Sequence, residues 1–419
     1  MLPVGFSSVN RRRPRWELPR LSRCQRRWLM KILLSAYACE PGKGSEPEVG
    51  LRTMLAAASE HEVWVLTRSN NIEALEGFLS GRSDSDRVHL VGIEAARAAL
   101  WLKSTHVLPV QVYYHLWQRA AERRAQLLEA QVAFDIVHHI TFASYWARTG
   151  VAAVDVPMVW GPVGGAVRTP RGFGRLLGLR GLVAEFFRSV VRALAWRWNK
   201  QMRSRSVGTL VLAQNPDTAT RLSTVGDVRV VTNATAVELP QTDSHGPRSR
   251  DVVCAGRLIP WKAGVLAIRT MQAVQDPTAV LVFYGDGPEA KRIERLAKEL
   301  AVRIRLEGNV DREELLDAVG RASVLLHTAL HEEAGLVVAE ALSLGTPVVC
   351  LDHGGPGELV RAWPSVPSVA VAPESIDGAV KGLADGIRSF LAEEIAGDPA
   401  EPRPAFDKQI LAAYRDVLG

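Results

Sequence analysis

The sequence predicts an α/β protein of two doubly wound parallel sheets, and three observations carry that prediction. Apolar, strand-like runs alternate with helix-like segments along nearly the whole chain. The alternation breaks once, at residues 238–250 (ELPQTDSHGPRSR), a polar stretch with two prolines and a glycine, and then restarts. At 419 residues the chain exceeds one ordinary core. Alternation on both sides of one linker implies two Rossmann-like domains.

Taken in order, KILLSAYA (31–38) is a short apolar run of strand length, 46–59 a helix, and HEVWVLTR (61–68) a second strand. After a further helix, VHLVGIE (88–94) fits a third strand. A long helix carrying aromatics and arginines follows over 110–132, then the strand FDIVHHITF (134–142). Residues 156–161 continue the sheet, 209–222 supply a strand and a helix, and 228–235 another strand. Beyond the linker come DVVCAGRL, a helix to about Val274, AVLVFYGDG, a helix through Leu300, RIRLEGNV, a helix near 313–320, and SVLLHTAL. A last helix over 406–418 is placed to cross back onto the first domain. The expected division is therefore a basic extension at 1–29, a first domain at 30–237, the linker at 238–250, a second domain at 251–402 and a returning helix at 403–419. No period of 20–50 residues repeats, which argues against a solenoid.

Composition narrows the function classes. With 47% hydrophobic and 23% charged residues the chain is of globular type. Residues 1–29 hold eight Arg and one Glu, so the formal +6 less this +7 leaves −1 for the rest. No broad basic surface stands behind nucleic-acid binding. Met30 followed by the first strand looks like a natural start, which would leave 1–29 without a role in the fold. Cys24, Cys39, Cys254 and Cys350 are scattered, with no metal-ligand spacing, and fit a reducing, cytoplasmic setting. No apolar run reaches the ~20 residues needed to span a bilayer.

The densest chemical signal is HEEAGLVVAEALSLGTPVVC (331–350). Glu332 and Glu340 are separated by seven residues, and Gly335-Leu336 lies between them. A glutamate on a loop is followed at once by a helix N-terminus, whose free N–H groups and dipole favour an anion. Gly335 lets the backbone approach that anion, and Gly345 with Pro347 ends the helix. A carboxylate that accepts hydroxyl hydrogen bonds, beside a diphosphate-sized anion site, suits a nucleotide sugar. Earlier, Gly256-Arg257-Leu258-Ile259-Pro260-Trp261-Lys262 places two cations five apart on a loop entering a helix, which suits a diphosphate. Gly285-Asp286-Gly287-Pro288 is a tight strand-to-helix turn. A dinucleotide G-x-G-x-x-G turn is missing after the first strand.

Glu332 and Glu340 in this context resemble the E-x7-E element of retaining glycosyltransferases, and G-R-L-x-x-x-K resembles the matching segment of family 4. The resemblance covers roughly residues 30–419. It implies the GT-B architecture, with the active site in the cleft between two facing Rossmann-like domains. It also implies retaining transfer of a sugar from a nucleotide diphosphate to a hydroxyl, with no metal or other cofactor required. Arg257 and Lys262 would hold the donor phosphates. Glu332 would hold the donor sugar and Glu340 the ribose hydroxyls, with Gly285, Val310, Gly335 and Leu336 completing the donor site. Gly44 and Ser45 lie where a loop reaches across to the donor phosphate, although Ser45 also suits a simple helix N-cap. Family members place a His after the strand that here ends in His138-His139. Adjacent strand residues point to opposite sides, and His139 is expected to face the cleft. The Lys-adjacent Gly of the family is Ala263 here, with Gly264 next. The turn Trp160–Gly165 (WGPVGG) would be flexible and line the acceptor side.

Partners follow from this: a nucleotide-diphosphate sugar and a carbohydrate or lipid-linked glycan acceptor, in bacterial polysaccharide or glycolipid biosynthesis. Residues 182–203 have helical periodicity, with Val183, Phe187, Val190, Val191, Leu194 and Trp198 on one face and arginines on the other. That pattern fits either a membrane surface, at the inner face of the plasma membrane, or a helix packing its apolar face on the first domain. Two rivals share the architecture: a sugar-nucleotide 2-epimerase, and a non-catalytic binding subunit.

Overall fold

In the computed structural model of the chain, residues 29–43, 45–94, 110–199, 202, 205, 207–236, 248–392 and 405–418 are described. The apolar runs form strands whose residues are mostly buried, because helices cover both faces of each sheet. The first sheet comprises β1 (Lys31–Ser35), β2 (Glu62–Arg68), β3 (Val88–Ile93), β4 (Ile136–His139), β5 (Met158–Val163), β6 (Thr209–Ala213) and β7 (Asp227–Val230). Its order is β3-β2-β1-β4-β5-β6-β7, with parallel pairing throughout. The helices of this half are α1 (Ser45–Glu60), α2 (Ile72–Leu79), α3 (Val110–Val132), α4 (Gly174–Trp198) and α5 (Pro216–Leu222).

The second sheet comprises β8 (Asp251–Ala255), β9 (Val280–Tyr284), β10 (Ile304–Gly308), β11 (Val324–His327), β12 (Val348–Leu351) and β13 (Val369–Val371). Its order is β10-β9-β8-β11-β12-β13, again parallel. Its helices are α6 (Gly264–Val274), α7 (Ala290–Glu299), α8 (Arg312–Arg321), α9 (Leu336–Ser343), α10 (Gly354–Ala362) and α11 (Ile376–Ala392), followed by α12 (Phe406–Asp416). In both sheets the chain direction switches beside the first strand: β1 lies between β2 and β4, and β8 between β9 and β11. Such switch points leave a crevice beyond the carboxyl ends of the strands, where doubly wound folds bind ligands.

Two packing features bind the halves together. Phe406, Ile410, Ala413 and Tyr414 of α12 bury themselves in the core on the β1–β2 side of the first sheet. Phe173, Leu176 and Leu177 join the core of the second sheet, although they precede it in the chain. Residues 237–247, which hold most of the expected linker, and residues 1–28 lie outside the described residues.

Two expectations need correction. Trp160–Gly165 is no flexible turn: Met158–Val163 is a strand at the sheet's interior, and residues 160–165 are all buried. The glycines there serve close packing, since a Cβ on Gly161 would lie 2.1 Å from the Leu212 carbonyl oxygen. The helix read at 182–203 is α4, which starts at Gly174, and it does not pack its apolar face on the first domain. Leu179, Leu182, Val183, Phe186, Phe187, Val190, Val191, Leu194 and Trp198 are all exposed.

Candidate active site

The site is assembled at the two switch points. Beyond β8, the loop from Gly256 (φ 132°) to Ala263 is propped from below by the turn after β9. Leu258 donates its N–H to the Asp286 carbonyl at 3.0 Å, and a Cβ on Gly287 would lie 2.3 Å from the Leu258 oxygen. Gly285 donates to Gly308 O at 2.6 Å, and a Cβ on it would lie 2.3 Å from Gly256 O. The glycine turn therefore shapes the cation loop through backbone contact. Arg257 stands exposed on that loop, while Lys262 sits half-buried at its end.

The Lys262 ammonium pairs directly with the Glu332 carboxylate. The other Glu332 oxygen accepts the N–H of Gly335 at 3.2 Å. Gly335 takes φ 82°, a left-handed conformation suited to glycine, and so opens α9. Burial alone would raise the Glu332 carboxyl, but Lys262, His327 and the donated hydrogen bonds together hold it below the usual carboxylate range. One turn into α9, Glu340 is 5% exposed. It accepts from Arg312 Nη2 at 3.1 Å, while burial raises its carboxyl despite that cation. Val310 lies on the loop between β10 and α8, just before Asp311, whose carboxylate caps α8 by accepting from Glu314 N at 2.8 Å.

Lys262, Glu332, Ala334 and Leu336 line a cavity of about 380 Å³ whose opposite wall comes from the first half of the chain: Glu46 and Val49 of α1, Gln214 just after β6, and Asn233 after β7. That volume lies within the usual range for small-molecule sites. Glu46, at the start of α1, accepts the Phe142 N–H at 2.8 Å, and burial raises its carboxyl. Ser45 opens α1, but its side chain, like all of Gly44, lies outside the described residues.

Neither His138 nor His139 reaches this cavity, which corrects the expectation for His139. β4 is a central strand covered on both faces, so alternation sends each imidazole into core. His138 Nε2 donates to Gly161 O at 2.7 Å, so its Nδ1 accepts from the Tyr414 hydroxyl at 2.7 Å. His139 lies between Ser35 Oγ and Tyr114 OH, each at 3.1 Å. Burial pushes the two down to about 4 and about 3 respectively.

Four residues escaped sequence reasoning. His327 ends β11 with Nε2 buried 3.8 Å from Glu332, and no hydrogen-bond partner occupies that nitrogen. Burial and then Lys262 push it down to about 4. His331 accepts from Arg192 Nη1 at 3.3 Å, and burial followed by Arg192 pushes it to about 3. Glu333 reaches across the cleft, accepting from Asn215 Nδ2 at 2.9 Å and Val167 N at 3.3 Å. A separate groove of about 590 Å³ is lined by residues that include Tyr145, Arg168, Arg221, His353 and Arg361. Arg312 is the fourth. Of these, only His331 and Glu333 fell within the strongest motif, and spacing gave them no separate signal.

With this geometry in view, the comparisons with known proteins become specific. Residues 239–404 match the family described as "Glycosyl transferases group 1". The matched segment holds Arg257, Lys262, Glu332 and Glu340. The phosphatidylinositol N-acetylglucosaminyltransferase gpi3 subunit of Schizosaccharomyces pombe is 30% identical over 173 residues, 40% of this chain and 36% of that protein. The lipopolysaccharide core biosynthesis glycosyltransferase LpsE of Rhizobium meliloti is 29% identical over 196 residues, 44% of this chain and 54% of its own length. The chain thus spans about a third to a half of these relatives. Among solved structures, S. aureus TarM, crystallised with fondaparinux, alpha-GlcNAc-glycerol and UDP, superposes with a TM-score of 0.54 at 10% identity. That likeness covers 93% of this chain and all of TarM, and it shows the fold: GT-B, two Rossmann-like domains with a cleft between them.

Proposed function

We propose that the protein is a retaining glycosyltransferase of family 4 type, moving a sugar from a nucleotide-diphosphate sugar to a hydroxyl acceptor in bacterial polysaccharide or glycolipid biosynthesis. The observation that carries this is the Lys262–Glu332 pair, set against the N-terminus of α9 in a cavity walled by both halves of the chain. Without donor, the two side chains neutralise each other. A diphosphate would take over Lys262, with Arg257 and the α9 N–H groups beside it, and release Glu332 to bond sugar hydroxyls. Glu340, which accepts from Arg312, would bond the ribose hydroxyls. These groups stabilise the charge that develops on the departing diphosphate, and the leaving phosphate takes the acceptor's proton. No metal enters this scheme. The groove lined by Tyr145, Arg168 and His353 would give the acceptor room, and the protein would work in the cytoplasm at the inner face of the plasma membrane.

A product assay tests the proposal. Nucleotide sugars are supplied with and without an acceptor, and the linkage formed is read by NMR. Nucleoside diphosphate release that requires acceptor, with the donor's anomeric configuration kept, is the expected result. Conversion of the donor sugar without any acceptor would overturn it in favour of the epimerase.

A further inference from the structure

α4 is amphipathic with its faces reversed. Three of its polar side chains turn inward: Glu185 accepts from Trp261 Nε1 at 2.9 Å, Arg188 lies 4.2 Å over the Trp261 ring, and Arg192 bonds His331. The nine exposed apolar residues, from Leu179 at 79% to Trp198 at 79%, cover roughly half of the helix circumference at 3.6 residues per turn. An apolar face this continuous marks an interaction surface. Its charge tells which kind. The backbone breaks at Gly178 (φ 67°), and along the stretch that follows it Arg180 and Arg197 are exposed, whereas its one acid, Glu185, is withdrawn into the Trp261 and Arg188 contacts. An apolar stripe with cations and no outward acid complements an anionic lipid surface. No described helix is long and apolar enough to cross a bilayer, so α4 would lie in its plane.

We propose that the outer face of α4 docks on an anionic bilayer, and that the acceptor is a lipid-anchored hydroxyl presented from that surface. The acceptor half of this inference rests on the glycosyltransferase proposal; the docking half does not. The inner face of α4 touches Trp261 and His331, the residues immediately preceding Lys262 and Glu332. Docking therefore holds the donor site about one helix diameter, roughly 10–12 Å, above the lipid. A lipid-anchored acceptor needs that placement, and a freely diffusing one does not.

Co-sedimentation of the full chain with phosphatidylcholine vesicles, with and without phosphatidylglycerol, tests this in the absence of any nucleotide. The wild type is expected to partition onto the anionic vesicles, more weakly at high salt. Phe186→Ser/Phe187→Ser is expected to lower partitioning by about tenfold or more, and Arg180→Glu to weaken it on anionic vesicles only. The phenylalanine variant should keep its circular dichroism and nucleotide binding, which separates lost docking from lost folding or a failed donor site. With an acceptor in both forms, the variant should lose transfer to the lipid-anchored one and keep transfer to the soluble one. Wild type left in the supernatant would overturn the inference. So would a wild-type dimer that the phenylalanine variant dissolves, since a second copy would then cover the face.

Discussion

Lys262 and Glu332 show how single residues set the site's state. Each is half-buried, and each would be costly to leave charged and alone in the cleft, so the free protein pairs them. Ala263 takes the left-handed conformation (φ 49°), at a cost of about 1 kcal/mol relative to glycine. At the following position a Cβ on Gly264 would lie 2.5 Å from Ile293 Cδ1, so a side chain there would have to displace the end of Ile293. His138 gives a pH prediction. Its folded value near 4 lies below the ordinary 6.5, so between these values the unfolded chain holds a proton that the folded chain refuses. Its contribution is fully present above about 6.5 and is lost as pH falls toward 4. Thermal melting of the wild type and His138→Gln across that range should show a shallower acid loss in the variant. Parallel curves would contradict the assignment.

At the scale of elements, α12 is tied at its surface by the Arg52–Asp407 and Arg229–Asp416 ion pairs and in the core by a buried polar chain: Tyr414 OH to His138 Nδ1, and His138 Nε2 to Gly161 O. Tyr414→Phe keeps the ring but leaves Nδ1 unsatisfied in the core, which should cost about 1–3 kcal/mol by urea unfolding. A change within about 0.5 kcal/mol would mean that this buried chain contributes little to holding the helix. This link also explains where sequence reasoning ended. Strand–helix alternation located both sheets, and the Gly335 and Lys262 motifs marked the two loops that meet, because local backbone demands write themselves into local residues. What covers a strand's second face is decided by distant segments. Tyr414 and Tyr114 enclose the two histidines, and neither partner is visible from FDIVHH. The same holds for α4: periodicity found its apolar stripe, but only the packing of Glu185 and Arg192 on the second half shows that the stripe faces outward.

For the whole molecule, the site exists only where the two halves meet. Glu333 from the second half is held by Asn215 and Val167 of the first, and the cavity takes its walls from both. α4 and α12 cross in opposite directions: Phe173 to Leu177 enter the second core, and α12 returns to the first. The central claim is that this junction binds a nucleotide diphosphate through Lys262. Calorimetric titration with UDP, GDP, ADP and dTDP, on the wild type and on Lys262→Ala, tests it most directly. One nucleotide should bind the wild type, and the variant should lose at least about tenfold in affinity, or roughly 1.4 kcal/mol. Binding of no nucleotide, or equal binding by Lys262→Ala, would contradict the donor site described here.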